Sequence, residues 1–288
     1  GRRWPSKLVS GADFYMQPSW HPDSKRLAWV AWDQPNMPWN GSRLETAEVT
    51  IDERGLVLGD IEVWAGGERE SVQQPIFSPD GKWMAFTSDK EFEGSGGFSQ
   101  VCVRDLATGQ MRVLSQAHSD HANPAWIQGM RTIAWDPESQ GVYALRNEAG
   151  VFRLVHYDLE GQEPEVSGLQ DYEYLAQLSI SSNGSMAWLG SASRMPGRVA
   201  EREAGGQVRT IRRASAERLS PEVYSPMRRV SWHASDGTEV FGNYYPPTNP
   251  TFEGTGKPPA RIMIHGGPTS QRTGAFDTRN QFYATRGF

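Results

Sequence analysis

The sequence predicts a mainly β protein whose last part begins an α/β domain, and three observations support this. A short motif recurs four times between residues 17 and 189. Each copy is centred on a polar turn, and the recurrence stops at Arg213. Regular recurrence with several short strands in each unit is typical of the blades of a β-propeller.

The four copies differ in strength. The first two align closely, QPSWHPDSKRLAWV at 17–30 and QPIFSPDGKWMAFT at 74–87, and the weaker copies are NPAWIQGMRTIAW at 123–135 and QLSISSNGSMAWL at 177–189. Apolar residues flank a tight turn in each, and Asp-Gly or Asn-Gly there favours the positive φ of a two-residue hairpin. We therefore predict that each copy forms one hairpin of a blade.

Further strand-like runs complete the blades, at 100–106, 111–114, 141–146, 151–159, 198–202 and 207–212. Residues 1–213 are thus predicted to form a partial β-propeller of about four blades, an incomplete ring whose opening residues look like the last strand of a further blade. The recurring aromatic residues are predicted to pack between blades. They are Trp20, Trp29, Phe77, Phe86, Trp126, Trp135 and Trp188.

After the blades, residues 214–227 are predicted to connect to a second domain over 228–288. In that domain a hairpin and a Pro- and Gly-rich loop precede a buried strand, ARIMI at 260–264. The HGGP turn and an aromatic-rich helix stopped by Gly287 follow. This is the order of elements at the start of an α/β-hydrolase sheet.

Bulk composition limits the classes of function. The formal net charge is -5 and basic residues are scattered, so nucleic acid is not expected as a partner. No run approaches the roughly 18 apolar residues of a membrane helix and no signal sequence is visible, which favours a cytoplasmic location without a membrane partner. Cys102, the only cysteine, lies in an alternating apolar run and is predicted to be a core residue.

The short polar segment QAHSDHANP contains the candidate metal ligands of this sequence. His118, Asp120 and His121 are close in sequence, but no third and fourth ligand is indicated beside them. A polar loop between blades is the favoured interpretation, and neither a metal nor a cofactor is expected.

Together these features resemble the prolyl oligopeptidase family of serine peptidases, especially its acylaminoacyl-peptidase and dipeptidyl-aminopeptidase-like members. Besides the propeller repeats, the resemblance rests on WDQPNMPWNG at 32–41, YYPPTNPTFEG at 244–254 and HGGPTSQ at 265–271. It covers the chain in order and implies short peptide substrates. No two glutamates are adjacent, which argues against the dipeptidyl peptidases that hold the substrate amino terminus with such a pair.

The resemblance assigns the HGGP turn half of an oxyanion hole. The backbone N–H of Gly267 is the expected donor, and Gly266 shapes the turn. His265 stands where some relatives carry a tyrosine that donates to the oxyanion, so capping the strand is favoured over catalysis for it. His265 and Pro268 are also expected near the substrate cleft.

Two propeller residues are further candidates for that cleft. Met37 and Trp39 lie in the loop that carries WDQPNMPWNG. An exposed aromatic residue in such a loop can bind peptide, and Trp39 can equally pack on its own blade. Both alternatives remain open from sequence.

No member of a catalytic triad is expected within the 288 residues. Gly-x-Ser-x-Gly does not occur in them, and the resemblance places serine, aspartate and histidine after Phe288. The chain is therefore expected to be truncated at both ends and inactive alone. The alternatives are a non-catalytic propeller scaffold with a vestigial hydrolase domain and an esterase that uses the same HGG turn.

Overall fold

The computed structural model describes residues 7–53, 55–91, 96–115, 118–162, 166, 168–267 and 269–288. It is mostly β, with 43% strand and 4% helix, in several antiparallel sheets. The chain divides into two compact units. Unit 1 comprises residues 1–146, 155–165 and 180–182, and unit 2 comprises 147–154, 166–179 and 183–288.

The first sheet lies in unit 1 and contains the first copy of the motif. Its strands are β1 (Phe14–Trp20), β2 (Arg26–Trp32), β3 (Ser42–Asp52), β4 (Gly55–Leu58) and β5 (Glu62–Gly67). The order is β1-β2-β3-β4, with β5 also paired to β3. The hairpin β1–β2 confirms the prediction for the first copy, whereas β3 to β5 were not predicted.

The second and third copies behave differently from each other. The second sheet is β6 (Val72–Phe77), β7 (Trp83–Ser88), β8 (Gln100–Asp105) and β9 (Met111–Val113), and the third is β10 (Ile133–Trp135), β11 (Gly141–Glu148) and β12 (Val151–Asp158). The second copy forms the hairpin β6–β7, as predicted. The third forms only β10.

A different set of contacts holds the first half of the third copy. The Gln128 side chain donates to the carbonyl of Tyr15 and accepts from the backbone N–H of Gln17, both at 3.2 Å. Pro124 has no N–H to give to a ladder. The expected strand is therefore replaced by an irregular segment bonded to β1.

A bulge with a left-handed glutamine recurs in the motif. Gln17, Gln74 and Gln177 occupy equivalent positions and have φ of 52°, 56° and 57°. In β1 and β6 the register shifts beside this residue. The Gln17 side chain accepts from the N–H of Gln74 at 2.7 Å, and the Gln74 amide bonds to Thr132. These side chains link successive sheets of unit 1.

The turns of the copies have the positive φ that was predicted, but they are longer than predicted. A left-handed residue is present in each turn, namely Ser24, Gly81, Gly129 and Gly184. However, β6 ends at Phe77 and β7 begins at Trp83, so five residues connect them. The Ser78 hydroxyl accepts from the N–H groups of Lys82 and Trp83, which stabilises this longer loop.

Apolar side chains from neighbouring sheets form the core of unit 1. Ala28 and Leu44 of the first sheet pack with Met84, Phe86 and Cys102 of the second. A further cluster joins the second and third sheets. Cys102 is 1% exposed, which confirms it as a core residue, and burial raises the pKa of its thiol far above the usual value.

Most of the fourth sheet lies in unit 2, with the fourth copy as its first hairpin. Its strands are β13 (Tyr174–Ile180), β14 (Met186–Ala192), β15 (Met195–Arg202) and β16 (Val208–Arg213). A 3-10 turn at Pro221–Val223, the hairpin β17 (Arg228–His233) with β18 (Glu239–Tyr244) and the helix α1 (Thr278–Ala284) follow. Asp277 caps α1 by accepting from two backbone N–H groups.

The strand expected over residues 260–264 is not formed. This segment has no ladder partners among the described residues, and Ile262 and Ile264 are 87% and 83% exposed. A buried parallel strand requires a neighbour on each side. The apolar pattern therefore predicted a strand whose neighbours are not in the described part of the chain.

Candidate functional site

The predicted oxyanion turn lies in unit 2 and is exposed. The Nδ1 atom of His265 lies 2.8 Å from the carbonyl oxygen of Gly266 and donates to it. Neither Gly266 nor Gly267 has a positive φ, and a Cβ atom at either would meet nothing within 4 Å. Their N–H groups donate to no acceptor among the described residues. Pro268 lies outside the described residues.

Residues 272–281, the anchor segment, follow this turn and are tightly held. The N–H of Gly274 donates to the Gly150 carbonyl at 2.9 Å, and the N–H of Phe276 donates to the Ser191 hydroxyl at 2.8 Å. A Cβ at Gly274 would lie 2.6 Å from that of Glu173, so glycine is required by a close approach. The anchor segment is therefore attached to other parts of unit 2.

Gln281 completes this attachment. It is 4% exposed, and its Oε1 accepts from the N–H of Ser225 at 2.7 Å. Its Nε2 donates to the carbonyls of Ser193 at 2.8 Å and Ser225 at 3.0 Å. One amide thus joins α1 to the turn between β14 and β15 and to the connection that precedes β17.

In unit 1 the WDQPNMPWNG segment forms a well-ordered loop over residues 33–41. The Asn36 side chain donates to the Glu68 carbonyl at 3.1 Å. The Ser71 hydroxyl donates to the Pro38 carbonyl at 2.7 Å. Bonds at both positions hold the loop in one conformation although most of its residues lie at the surface.

A buried polar network supports the start of this loop. The Trp29 indole donates to Glu45 at 2.8 Å, and Arg43 donates to Glu45 at 3.0 Å and to Asp33 at 2.8 Å. The backbone N–H of Asp13 and the Arg43 guanidinium hold the pKa of Asp33 below its ordinary value. Asp33 is therefore charged at neutral pH, and both carboxylates pair with Arg43.

The loop presents an apolar surface. The Trp39 and Trp126 rings contact each other with centroids 4.2 Å apart, and Trp39 thus packs on the third copy. Met37, Trp126 and Ile127 are 44%, 55% and 65% exposed. We call Met37, Trp39, Trp126 and Ile127 the aromatic surface. Exposed apolar groups on a fixed loop are typical of binding sites.

The prediction that the recurring aromatic residues pack between blades is correct for most of them and wrong for two. Phe77, Phe86, Trp29, Trp135 and Trp188 are all buried. Trp20 and Trp126 are 45% and 55% exposed. Trp126 lies in a part of the third copy that does not form a strand, whereas Trp20 is exposed at the end of β1.

His121 is a core residue rather than part of a polar loop. It is 0% exposed, its Nδ1 lies 3.0 Å from the Ser99 carbonyl, and its Nε2 lies 2.7 Å from the Tyr157 hydroxyl. His118 lies against the ring of Phe98. In the described part of the chain no group of three or more His, Cys, Asp or Glu side chains is arranged to hold a metal ion.

The chain is similar to known peptidases. No family model matches the chain. The chain is 28% identical to a puromycin-hydrolysing peptidase of Mycobacterium tuberculosis, with a TM-score of 0.85 over 98% of this chain. Dipeptidyl-peptidase 5 of Porphyromonas gingivalis is 26% identical over 98% of the chain. These similarities support a peptidase of the prolyl oligopeptidase family.

A more distant member of this family shares the fold. Prolyl oligopeptidase B of Galerina marginata is 14% identical, with a TM-score of 0.58 over 78% of the chain. The chain spans 38% of the Porphyromonas protein and 41% of the Mycobacterium protein. Among the described residues, no helix has the length and apolar character needed to cross a membrane.

Proposed function

We propose that the chain is the propeller and the first part of the catalytic domain of a serine peptidase that hydrolyses short peptides. The similarity at 28% identity over 98% of the chain to a peptidase that hydrolyses puromycin carries this proposal. The propeller comprises residues 1–213 and limits access to short substrates, residues 214–227 are the connection, and the catalytic domain begins at 228.

The chemistry is acyl transfer to water through a Ser-His-Asp triad. The 288 residues contain no Gly-x-Ser-x-Gly, and the chain spans only 38–41% of its relatives. In this proposal the triad of the whole protein lies in sequence after Phe288, and the 288 residues alone do not hydrolyse peptides. The serine attacks the scissile carbonyl while the histidine takes its proton.

The HGGP turn contributes one donor to the oxyanion of the tetrahedral intermediate. The N–H of Gly267 is exposed and has no acceptor among the described residues, which leaves it available. Gly266 shapes the turn, and Pro268 follows without needing an N–H of its own. His265 bonds to the carbonyl of Gly266, which supports a role in orienting the turn.

The aromatic surface binds an apolar side chain of the peptide. Met37 and Trp39 lie on a loop that is held by hydrogen bonds at Asn36 and Pro38. Such a surface loses little conformational entropy when it binds a ligand. Replacing Trp126 by alanine removes one of its two aromatic rings without opening the core, because that side chain is 55% exposed.

Reaction with a fluorophosphonate probe tests the reaction class. The whole protein is treated with the probe, digested and analysed by mass spectrometry. Labelling of a serine in a Gly-x-Ser-x-Gly after Phe288, with hydrolysis of short peptide anilides, supports the proposal. A folded whole protein that is neither labelled nor active would contradict it and favour the binding scaffold.

Two variants at one position test the oxyanion donor. Gly267→Pro removes the N–H, whereas Gly267→Ala retains it and meets no described atom within 4 Å. Loss of one such donor costs about 10²–10³-fold in kcat. We expect Gly267→Pro to have a kcat at least about 10²-fold below that of Gly267→Ala. Equal values in the two variants would rule out this donor.

A further inference from the structure

The HGG turn depends for its position on the segment that follows it. Residues 260–267 have no ladder partners among the described residues, and the side chains at 265–267 are exposed. After the turn, the first backbone group bound by a side chain from another element is the Thr273 carbonyl, which accepts from the Asn243 amide at 3.2 Å. Before the turn, the Arg261 guanidinium lies 4.0 Å from the ring centroid of Tyr283 in α1. The described contacts on both sides of the turn therefore lead to the anchor segment and α1.

Besides the bonds at Thr273, Gly274 and Phe276, a buried side-chain amide at its end holds the anchor segment. Gln281 uses its acceptor for the N–H of Ser225 and its two donors for the carbonyls of Ser193 and Ser225. Ser193 itself is held, because its N–H donates to the Glu173 carboxylate. This ties α1 to the fourth sheet and to the connection at the same point.

We propose that Gln281 is a positioning residue that sets the location of the Gly266–Gly267 turn by holding the anchor segment to the turn between β14 and β15. The inference rests on the proposed function of that turn. Catalytic donors must be held within about 0.5 Å of their productive geometry. A displacement of about 1 Å can cost about 10²-fold in rate.

Only an amide side chain satisfies all three partners of Gln281. Glutamate keeps the acceptor for Ser225 N–H but offers no donor to the carbonyls of Ser193 and Ser225. Methionine fills a similar volume and makes none of these bonds, so three buried backbone groups lose their partner. The two variants therefore remove the attachment in graded steps.

The test compares Gln281→Met with the same substitution at a second buried glutamine, Gln100. Gln100 is 0% exposed, donates to the Phe98 carbonyl and accepts from the Ser115 hydroxyl, all within unit 1. In the whole protein we expect Gln281→Met to lower kcat by at least about tenfold with KM nearly unchanged, because only transition-state binding is lost. Gln100→Met should lower the melting temperature and leave kcat unchanged. If Gln281→Met does not fold, Gln281→Glu is measured instead.

Amide hydrogen exchange in the 288-residue chain gives a readout that does not need catalysis. We expect Gln281→Met to speed exchange at Gly274 and Phe276, and Gln100→Met to leave it unchanged. Faster exchange with unchanged kcat, or an equal loss of kcat in both variants, overturns the positioning role. Unchanged exchange shows that Gln281 does not hold the segment. A whole wild-type protein without activity or labelling refutes the proposed function itself, while the exchange result still decides the attachment.

Discussion

The buried His121 leads to a strong prediction of acid sensitivity. Its Nδ1–H donates to the Ser99 carbonyl, so its Nε2 accepts from the Tyr157 hydroxyl, and the ring is neutral. Protonation would place a positive charge in a site that is 0% exposed. Burial, and to a smaller extent the charge of Arg146, lower the pKa of His121 from 6.5 to about 4.

The size of the effect follows from these two pKa values. Between pH 6.5 and about 4 the unfolded chain binds more protons at this residue than the folded chain, so stability falls as the pH falls through that window. Lowering the pH from about 7 to about 5 therefore removes about 2 kcal/mol of the free energy of unfolding of unit 1. Little of the contribution is lost above pH 6.5.

Comparison with His121→Gln isolates this contribution. Glutamine retains a donor and an acceptor but does not titrate. The free energy of unfolding is measured by urea titration with tryptophan fluorescence at about pH 7 and about pH 5. We expect the advantage of the wild type over the variant to shrink by about 2 kcal/mol at the lower pH. The same pH dependence in both proteins would refute the reasoning, because other titrating groups are common to the two.

Three further predictions concern single residues. Burial, together with repulsion from Glu70 and Asp120, raises the pKa of Asp89 from 3.8 to about 6. Asp89 therefore destabilises the folded protein increasingly as the pH rises from 3.8 to about 6. With allowance for partial exposure, Asp89→Asn should raise the free energy of unfolding by about 1 kcal/mol at neutral pH and leave it unchanged near pH 4. Urea titration at the two pH values measures this difference. Asp277→Ala should destabilise α1 by about 1 kcal/mol, and Asp277→Asn should destabilise it much less, because asparagine can also cap a helix. Amide hydrogen exchange in α1 measures both effects. Trp126→Ala should weaken binding of peptides with aromatic residues several-fold without changing the melting temperature; unchanged binding would contradict the aromatic surface.

Local patterns predicted much of the fold. Alternating apolar residues around a turn that needs a positive φ are enough to specify a hairpin, so three copies of the motif form their predicted strands. The helix α1 was predicted from its aromatic residues and its glycine stop. These signals lie within a few residues of one another, which is why no long-range information was needed.

Features that depend on distant partners were not predicted. The strands β3 to β5 carry no copy of the motif, and the segment 260–264 has a strand pattern without strand partners. The Gln281 amide bonds to residues 56 and 88 positions away, a separation that no sequence pattern reveals. His121 was assigned to a polar loop because its neighbours are polar, although Tyr157 and Ser99 satisfy it in the core.

The third copy shows how a departure from a repeat can point to a site. It lacks the Pro-Asp of the first two copies and has Gln128 and Gly129 in the turn instead. In the structure its first half gives up strand pairing, bonds to β1 through Gln128, and exposes Trp126 and Ile127 beside Trp39. At the equivalent position of the regular hairpins, Phe77 is buried in the second copy and Trp20 is 45% exposed in the first. The irregular segment therefore contributes Trp126 and Ile127 to the aromatic surface, and residues that break a repeat are candidates to test for binding.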